Sequence, residues 1–174
     1  MAKVLSLYQP WAQLVVIGAK KFETRSWATS YRGLILIHAS KRFTKRDWMM
    51  CHRWPFRDAL SDVATFNGEY QPHRLPVGVI IGCVKLIDCP STSDWLRMRL
   101  RNYGRTNFLV ESGEDGDLFL TSEDYREYRF GDYNDGRRAW ELQDPVHFEK
   151  PIPAKGSLGL WELPESALGH LVEK

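Results

Sequence analysis

The sequence predicts a mixed α+β fold, and three observations support that prediction. Short apolar runs rich in β-branched residues, of which residues 77–87 form the longest, are typical of buried strands. Segments with helix-start signals, such as Thr44, separate some of these runs. Glycine and proline residues stand at the borders between segments and mark turns. We therefore expect strands and short helices to alternate along the chain.

The predicted elements follow one another through the first hundred residues. They are strand 4–7, helix 10–18, strands 22–27 and 34–38, helix 44–53, strand 77–87 and helix 94–101. Pro10 suits the first position of a helix, and Gly18 closes the short apolar segment that follows it. Ser93 is positioned to cap the last helix of this series. In the last strand, Gly78 and Gly82 mark a bend or a close backbone approach, which barrels often need.

Residues 102–136 differ from the rest of the chain, because acidic and small polar residues dominate there. Between positions 111 and 135, nine Asp and Glu residues stand against two Arg residues. We expect a long acidic loop insertion whose charges are solvated, since residues 112–117 lack the ligand spacing of a calcium loop. The remaining predicted elements are strands 137–142 and 146–149, a proline turn at 151–153, a closing strand 158–163 and a final helix 164–172.

The composition favours a single domain over residues 1–174 that needs neither a metal nor a disulfide. A chain of 174 residues can bury roughly 70% of the surface that it exposes when unfolded. The three cysteines form no C-x-x-C pair and the five histidines are scattered, so we expect no metal site and no cofactor. A reducing, cytoplasmic compartment fits this cysteine usage. No apolar run approaches the roughly 18 residues that span a bilayer, which argues against a membrane partner.

The net charge of +2 conceals a strong asymmetry along the chain. Through Asp58 the sequence has 11 Lys and Arg residues and 3 Asp and Glu residues. Within that part, residues 41–58 interleave cations with Trp48, Trp54 and Phe56. Cations contact phosphates and aromatic faces stack on bases, so this segment is a candidate nucleic-acid surface. The same pattern fits an amphipathic helix that buries Trp48 and leaves its cations solvated.

The segment Gly-Ala-Lys-Lys-Phe-Glu-Thr-Arg, residues 18–25, holds the strongest chemical signal. Side chains two apart share one face of a strand, so Glu23, Arg25 and Trp27 are expected to point the same way. Lys20 stands just before them in the preceding turn. An acid, a cation and a candidate base are thus close together, although a surface strand with a self-neutralising ion pair has the same pattern.

Polar residues flank this segment on both sides. Before it, Gln9-Pro10-Trp11-Ala12 opens the first helix, and an exposed helix start attracts anions. After it, strand 34–38 is apolar on both faces and places His38, Ser40 and Lys41 at its end.

Four segments in this order resemble the ASCH domain family. They are Gln9-Pro10-Trp11-Ala12, Gly18-x-Lys20-x-x-Glu23-x-Arg25, His38-Ala39-Ser40-Lys41, and Pro151-Ile152-Pro153-Ala154-Lys155-Gly156 with Gly159-Leu160-Trp161. The G-x-K-x-x-E-x-R element is the signature of that family. Because the family is related to the PUA domains, the resemblance implies a small, PUA-like closed β-barrel with flanking helices. It also implies an RNA-binding or nucleotide-binding cleft at one mouth of the barrel.

The resemblance implies two hydrolytic activities, of which the first is metal-independent, ribonuclease-like cleavage of RNA. Attack by the 2′-hydroxyl needs a base, an acid for the leaving oxygen and cations for the developing charge. On this hypothesis Arg25 clamps the phosphate and Glu23 shuttles a proton. Lys20 stabilises charge or acts as a base once desolvated.

The second activity is hydrolysis of N4-acetylcytidine, which short members of the family carry out. They use a lysine, a threonine three residues later and a glutamate on a later strand. Lys20 matches the lysine, but the residue three further on is Glu23, and Thr24 is displaced by one. The strand at 77–87 contains no glutamate. This alternative therefore requires Glu23 to activate the water molecule.

A non-catalytic RNA-binding module is the third alternative, because binding needs only aromatic walls and a few polar groups. The candidate RNA-binding or nucleobase-binding residues are Gln9, Trp11, Lys21, Trp27, His38, Ser40, Lys41 and Lys155. The expected partner is RNA, another single-stranded nucleic acid or a modified nucleoside. A protein partner at the acidic stretch is a further alternative.

Overall fold

A computed structural model of the chain describes residues 1–101, 108–113, 116–164 and 166. Its strands are β1 (Ala2–Leu7), β2 (Phe22–Arg25), β3 (Gly33–Ala39), β4 (Thr65–Phe66), β5 (Glu69–Tyr70), β6 (Val79–Asp88), β7 (Phe108–Gly113), β8 (Gly116–Leu120), β9 (Arg138–Pro153) and β10 (Leu160–Leu163). Its helices are α1 (Trp11–Val16), α2 (Lys45–Cys51), α3 (Phe56–Ala64), α4 (Thr92–Arg101) and α5 (Ser122–Phe130). The predicted α+β class is confirmed.

Six strands form one mixed sheet in the order β10-β1-β3-β6-β9-β2. The pair β1 and β3 is parallel, and the other neighbouring pairs are antiparallel. β9 is 16 residues long and pairs with both β2 and β6. In the register between β2 and β9, Glu23 lies opposite Trp140 and Arg25 lies opposite Arg138. The long strand therefore fixes the position of the charged segment.

The predicted closed β-barrel is wrong, because this sheet is open. Among the described residues, β2 and β10 are its two edges, and no hydrogen-bonded ladder joins them. A barrel requires every strand to pair on both sides. At the start of β2, the amides of Lys21 and Phe22 donate instead to the carboxylate of Glu127, at 2.7 and 3.2 Å. A side chain of α5 thus satisfies two amides at the start of this edge strand.

Two apolar clusters hold α1, α2, α3 and α5, and a third holds α4 through Trp95. α1 packs against the sheet, where Ala12 and Val15 belong to the same cluster as Ile37 and Trp140. A second cluster joins α1 to α2, α3 and α5, and its buried members include Leu14, Cys51, Phe56, Leu60, Ala64 and Phe130. Sequence analysis did not predict α3, although its buried residues recur at every fourth position.

Local signals explain several element boundaries. Thr44 caps α2 as predicted, because its hydroxyl accepts from the amide of Asp47 while that carboxylate accepts from the amide of Thr44. Ser91, rather than Ser93, accepts the capping hydrogen bond at α4, from the amide of Asp94 at 3.0 Å. The strands predicted at 137–142 and 146–149 are parts of β9, which also replaces the predicted proline turn.

The acidic stretch differs from the predicted loop in the part that the structure describes. β7 and β8 pair as an antiparallel hairpin, and α5 follows them. Thr121 caps α5 by accepting from the amide of Asp124 at 3.0 Å, and Glu127 and Phe130 are buried. The final helix predicted at 164–172 lies almost wholly outside the described residues. No helix in the described ranges is long and apolar enough to cross a membrane.

Candidate functional site

A cavity of about 1120 Å³ opens between the edge strand β2, the ends of β1 and β3, the end of α5 and the segment 153–159. The predicted site residues that line it are Trp11, Glu23, Arg25, His38, Ser40, Lys41 and Lys155. These residues are spread over more than 140 positions of the sequence. The order of the sheet and the segment before β10 bring them to one place.

Glu23 and Arg25 form a charged pair on the wall of this cavity. Oε1 of Glu23 lies 3.6 Å from a terminal nitrogen of Arg25, and the two side chains are 9% and 25% exposed. The Nε of Arg25 is buried and has no hydrogen-bond partner among the described residues. Because this Nε is buried, an acceptor that enters the cavity, such as a phosphate or a base carbonyl, would meet the exposed part of the guanidinium group instead.

Lys20 lies behind this pair rather than on the cavity wall. Its side chain is 0% exposed, and its ammonium group lies 3.9 Å from Oε2 of Glu23 and 3.5 Å from Oε1 of Glu127. The same group donates to the carbonyl of Phe22. Lys20 therefore contacts the carboxylate of Glu23 from the interior of the protein.

Burial raises the pKa of Glu23 above its ordinary value, and the neighbouring Lys20 and Arg25 oppose that shift. The carboxyl group consequently keeps its proton to a higher pH than an exposed glutamate. A carboxyl group that retains its proton more readily than an exposed glutamate and lies beside a cation is suited to proton transfer.

Glu127 contacts Lys20 and the start of β2, and the sequence analysis did not predict it as part of the site. Besides the amides of Lys21 and Phe22 and the ammonium group of Lys20, its carboxylate accepts from the hydroxyl of Tyr133 at 3.2 Å. Sequence analysis grouped Glu127 with solvated acids. A sequence signal for the burial of Glu127 was present. Thr121 caps an amphipathic helix that carries Glu127 and Phe130 on its buried side.

His38 stands on the cavity wall but is held by two hydrogen bonds. Its ring is 2% exposed, with Nδ1 3.1 Å from Oγ of Ser6 and Nε2 3.2 Å from the carbonyl oxygen of Ala154. Because a carbonyl only accepts, Nε2 is assigned the proton. Burial lowers the pKa of His38. The ring is therefore neutral near pH 7 and anchors the segment that carries Lys155.

Exposed cations lie around the cavity. Lys41, Lys155 and Arg129 all line it and all three are exposed. Arg129, on α5, was not among the predicted site residues. Trp11 adds an aromatic wall, and its Nε1 donates to the carbonyl of Phe130 at 2.7 Å. The cavity thus combines an aromatic surface with a positively charged mouth.

Three other predicted residues do not line the cavity. Gln9 is fully buried, accepts from the amide of Gln13 and donates to the carbonyl of Pro76. Lys21 is exposed and pairs with Glu123. Trp27 packs edge-on against Trp140, with the ring centroids 4.6 Å apart. All three support the surroundings of the cavity rather than its wall.

The basic segment 41–58 exposes its tryptophans. Trp48 is 41% exposed, Met49 is 44% exposed and Trp54 is 46% exposed, whereas Phe56 is buried. The alternative in which a helix buries Trp48 is therefore wrong. Within the ranges that the structure describes, no group of three or more His, Cys, Asp or Glu side chains is arranged to hold a metal ion.

The chain matches the family model of the ASCH domain over residues 5–152, and it therefore belongs to the ASCH domain family. The predicted resemblance is confirmed. Activating signal cointegrator 1 of Mus musculus is 34% identical over 96 residues, and that of Homo sapiens is 37% identical over 87 residues. Each match covers 50% of this chain but 14% of the relative, so the chain spans a small part of the length of these relatives.

Solved structures of an ASCH protein from Zymomonas mobilis are also similar to this chain. One is 16% identical with a TM-score of 0.49, and the match covers 97% of this chain and 91% of that chain. A variant of the same protein is 18% identical with a TM-score of 0.48, over 98% of this chain and 96% of that chain.

Proposed function

We propose that this protein binds single-stranded RNA, or a nucleobase within it, in the cavity beside β2. One observation carries the proposal: the Arg25 side chain, which is 25% exposed, lines a cavity whose mouth is surrounded by exposed cations. Membership of a family related to the PUA domains supports the same class of ligand.

The cavity has separate groups for the separate parts of a nucleotide. Lys41, Lys155 and Arg129 are exposed cations suited to phosphates. Trp11 offers an aromatic surface for a base, and the carboxyl group of Glu23 can accept from a base N–H or donate to a base acceptor. RNA-specific proteins recognise unpaired bases through this combination of stacking and edge contacts.

A second candidate function is metal-independent, ribonuclease-like hydrolysis at the same site. The observation that favours it is the raised pKa of Glu23, a carboxyl group on the cavity wall next to Arg25. In this reaction Glu23 transfers the proton between the attacking 2′-hydroxyl and the leaving oxygen, and Arg25 stabilises the phosphorane charge. Lys20 acts through Glu23, because its ammonium group is buried behind that carboxylate.

Amidohydrolysis of an acylated cytidine is the alternative reaction for the same carboxyl group. It requires Glu23 to activate water in the cavity, since β6 carries no glutamate to do so. A protein partner at the acidic stretch is the weaker proposal, because Glu123, Asp124 and Glu127 already pair within the chain.

The proposal is tested with a labelled single-stranded RNA dodecamer in a buffer with EDTA. Arg25→Ala is expected to weaken binding at least tenfold, whereas Lys85→Ala, which removes an exposed cation on β6 away from the cavity, leaves it unchanged. Equal affinity of the wild type and the Arg25→Ala variant contradicts the binding site. Affinity that stays constant from low to high salt contradicts the phosphate contacts.

The two reactions are separated by their products. Cleavage of the RNA by the wild type but not by Glu23→Gln supports the nuclease, and acetate release from N4-acetylcytidine with the same dependence supports the amidohydrolase. Intact RNA and no acetate, or equal turnover by both proteins, leaves a binding module.

A further inference from the structure

Trp54 is a large aromatic residue that the cavity does not include. It lies in the connection between α2 and α3 and is 46% exposed. Its ring contacts that of Tyr125 on α5, with centroids 5.6 Å apart and an angle of 31° between the planes. Burying so large an aromatic surface is favourable, so an indole left half exposed beside a second ring is suited to receive a flat ligand.

A short series of contacts connects Trp54 to the cavity. Arg129 donates to the hydroxyl of Tyr125 at 3.1 Å, and Arg129 lines the cavity. Phe56, two residues after Trp54, also lines the cavity and packs edge-on against Trp11 and Phe130. A chain that leaves the cavity past Arg129 therefore meets the Tyr125 and Trp54 rings next.

The charge of this surface limits the kind of ligand. Residues 41–58 contain six Lys and Arg residues and two Asp residues. Asp47 is occupied by the cap of α2, and none of the six cations forms an ion pair within the described part of the chain. A segment that carries cations without ion-pair partners together with the exposed Trp54 ring complements a ligand that alternates negative groups with flat faces, and single-stranded nucleic acid is that ligand.

We propose that Trp54 is a second base-stacking position, and that single-stranded RNA runs from the cavity past Arg129 and Tyr125 onto its ring. The proposal rests on the function proposed for the cavity and specifies how the ligand continues outside it. A mononucleotide fills the cavity alone, whereas an oligonucleotide uses both positions. Trp54 therefore contributes to the affinity for oligonucleotides and not to the affinity for mononucleotides.

The test compares Trp54→Ala, Trp54→Phe and Trp48→Ala with the wild type. Trp48 is the matched control, because it is 41% exposed on the neighbouring helix and its ring contacts His52 instead. Binding of a labelled RNA dodecamer is measured by fluorescence anisotropy, and binding of ribonucleoside monophosphates by calorimetry. Circular dichroism melting checks that each variant is folded. We expect all three variants to fold, because both tryptophans are exposed.

Loss of one stacked base weakens binding by about 5- to 150-fold. We expect that loss for the dodecamer with Trp54→Ala, most of the affinity restored with Trp54→Phe, and unchanged binding of monophosphates by every variant. Equal dodecamer affinity of the wild type and Trp54→Ala, or an equal loss with Trp48→Ala, overturns the stacking position while the cavity proposal stands.

Two further outcomes separate the causes of failure. A wild type that binds neither the dodecamer nor any monophosphate contradicts the proposed function itself and the stacking position with it. The second is tested by sedimenting the protein with anionic phosphatidylserine vesicles. If Trp54→Ala abolishes that sedimentation but leaves dodecamer binding unchanged, the stacking position is overturned and this surface is assigned to a lipid headgroup instead.

Discussion

The carboxylate of Glu127 lies 3.5 Å from the ammonium group of Lys20, and neither side chain is more than 8% exposed. The same carboxylate accepts from the amides of Lys21 and Phe22. One residue of α5 thus fixes both the start of β2 and the cation behind Glu23. The charged wall of the cavity depends on a residue about a hundred positions away in the sequence.

Glu127→Ala is therefore expected to destabilise the fold. Removing this carboxylate leaves two amides without an acceptor and deprives the buried ammonium group of Lys20 of one of its two carboxylate neighbours, which costs about 3–5 kcal/mol. Urea denaturation measures the free energy of unfolding. The control is Glu123→Ala, which removes an exposed pair with Lys21 and is expected to cost less than about 1 kcal/mol. Equal losses in the two variants contradict the assigned role of Glu127.

The features that depend on residues close together in the chain could be predicted from the sequence. The two-residue period of a strand placed Glu23 and Arg25 on one face, and they do lie together on the cavity wall. The cap at Thr44 placed the start of α2 correctly. Both predictions depend on neighbours within a few residues, where backbone geometry determines which groups meet.

The contacts between residues far apart in the chain could not be predicted in the same way. The amides at the start of β2 are satisfied by Glu127, and the acidic surroundings of that residue are typical of a solvated loop. The barrel was expected from the family resemblance, and the pattern of apolar runs could not show that β2 and β10 stay unpaired at the two edges of the sheet. Lys20 was expected to act directly on the ligand. The spacing of the charged residues does not reveal that its ammonium group is buried beside Glu127.

Glu23 is expected to make stability depend on pH. Its pKa in the folded protein is raised above 4.5, so the folded state favours the protonated form. The stabilisation from Glu23 is complete below pH 4.5 and is lost as the pH rises through the folded-state pKa. The difference in unfolding free energy between the wild type and Glu23→Gln should therefore fall from pH 4 upward, as measured by urea denaturation at several pH values. A difference that grows over this range contradicts the direction of the shift.

His38 is expected to titrate below its usual range. Burial lowers its pKa from 6.5, so its stabilising effect is present above pH 6.5 and is lost as the pH falls through the folded-state pKa. Heteronuclear NMR of the histidine rings measures the midpoint directly. A midpoint for His38 above 6.5 contradicts the buried, neutral ring.

Lys155 is expected to affect RNA binding mainly through its charge. It is exposed beside the cavity, so Lys155→Gln removes at most one phosphate contact and leaves the packing intact. The slope of log K against log salt concentration should become shallower by about one, with similar losses for RNAs of different sequence. Lys85→Gln, on β6, should leave the slope unchanged. An unchanged slope for Lys155→Gln shows that this cation does not contact the ligand.

Gly156→Ala tests whether the segment between β9 and β10 shapes the cavity. A Cβ at position 156 would overlap Cε1 of the His38 ring and come within 3.1 Å of Oγ of Ser6. Overpacking of this kind costs typically about 1–3 kcal/mol, and relief of the overlap would move the segment that carries Lys155. Both the thermal midpoint and the affinity for the RNA dodecamer should therefore decrease. Ser30→Ala, at an exposed position away from the cavity, should alter neither quantity. A Gly156→Ala variant that matches it in both would show that the close approach to His38 does not constrain the site.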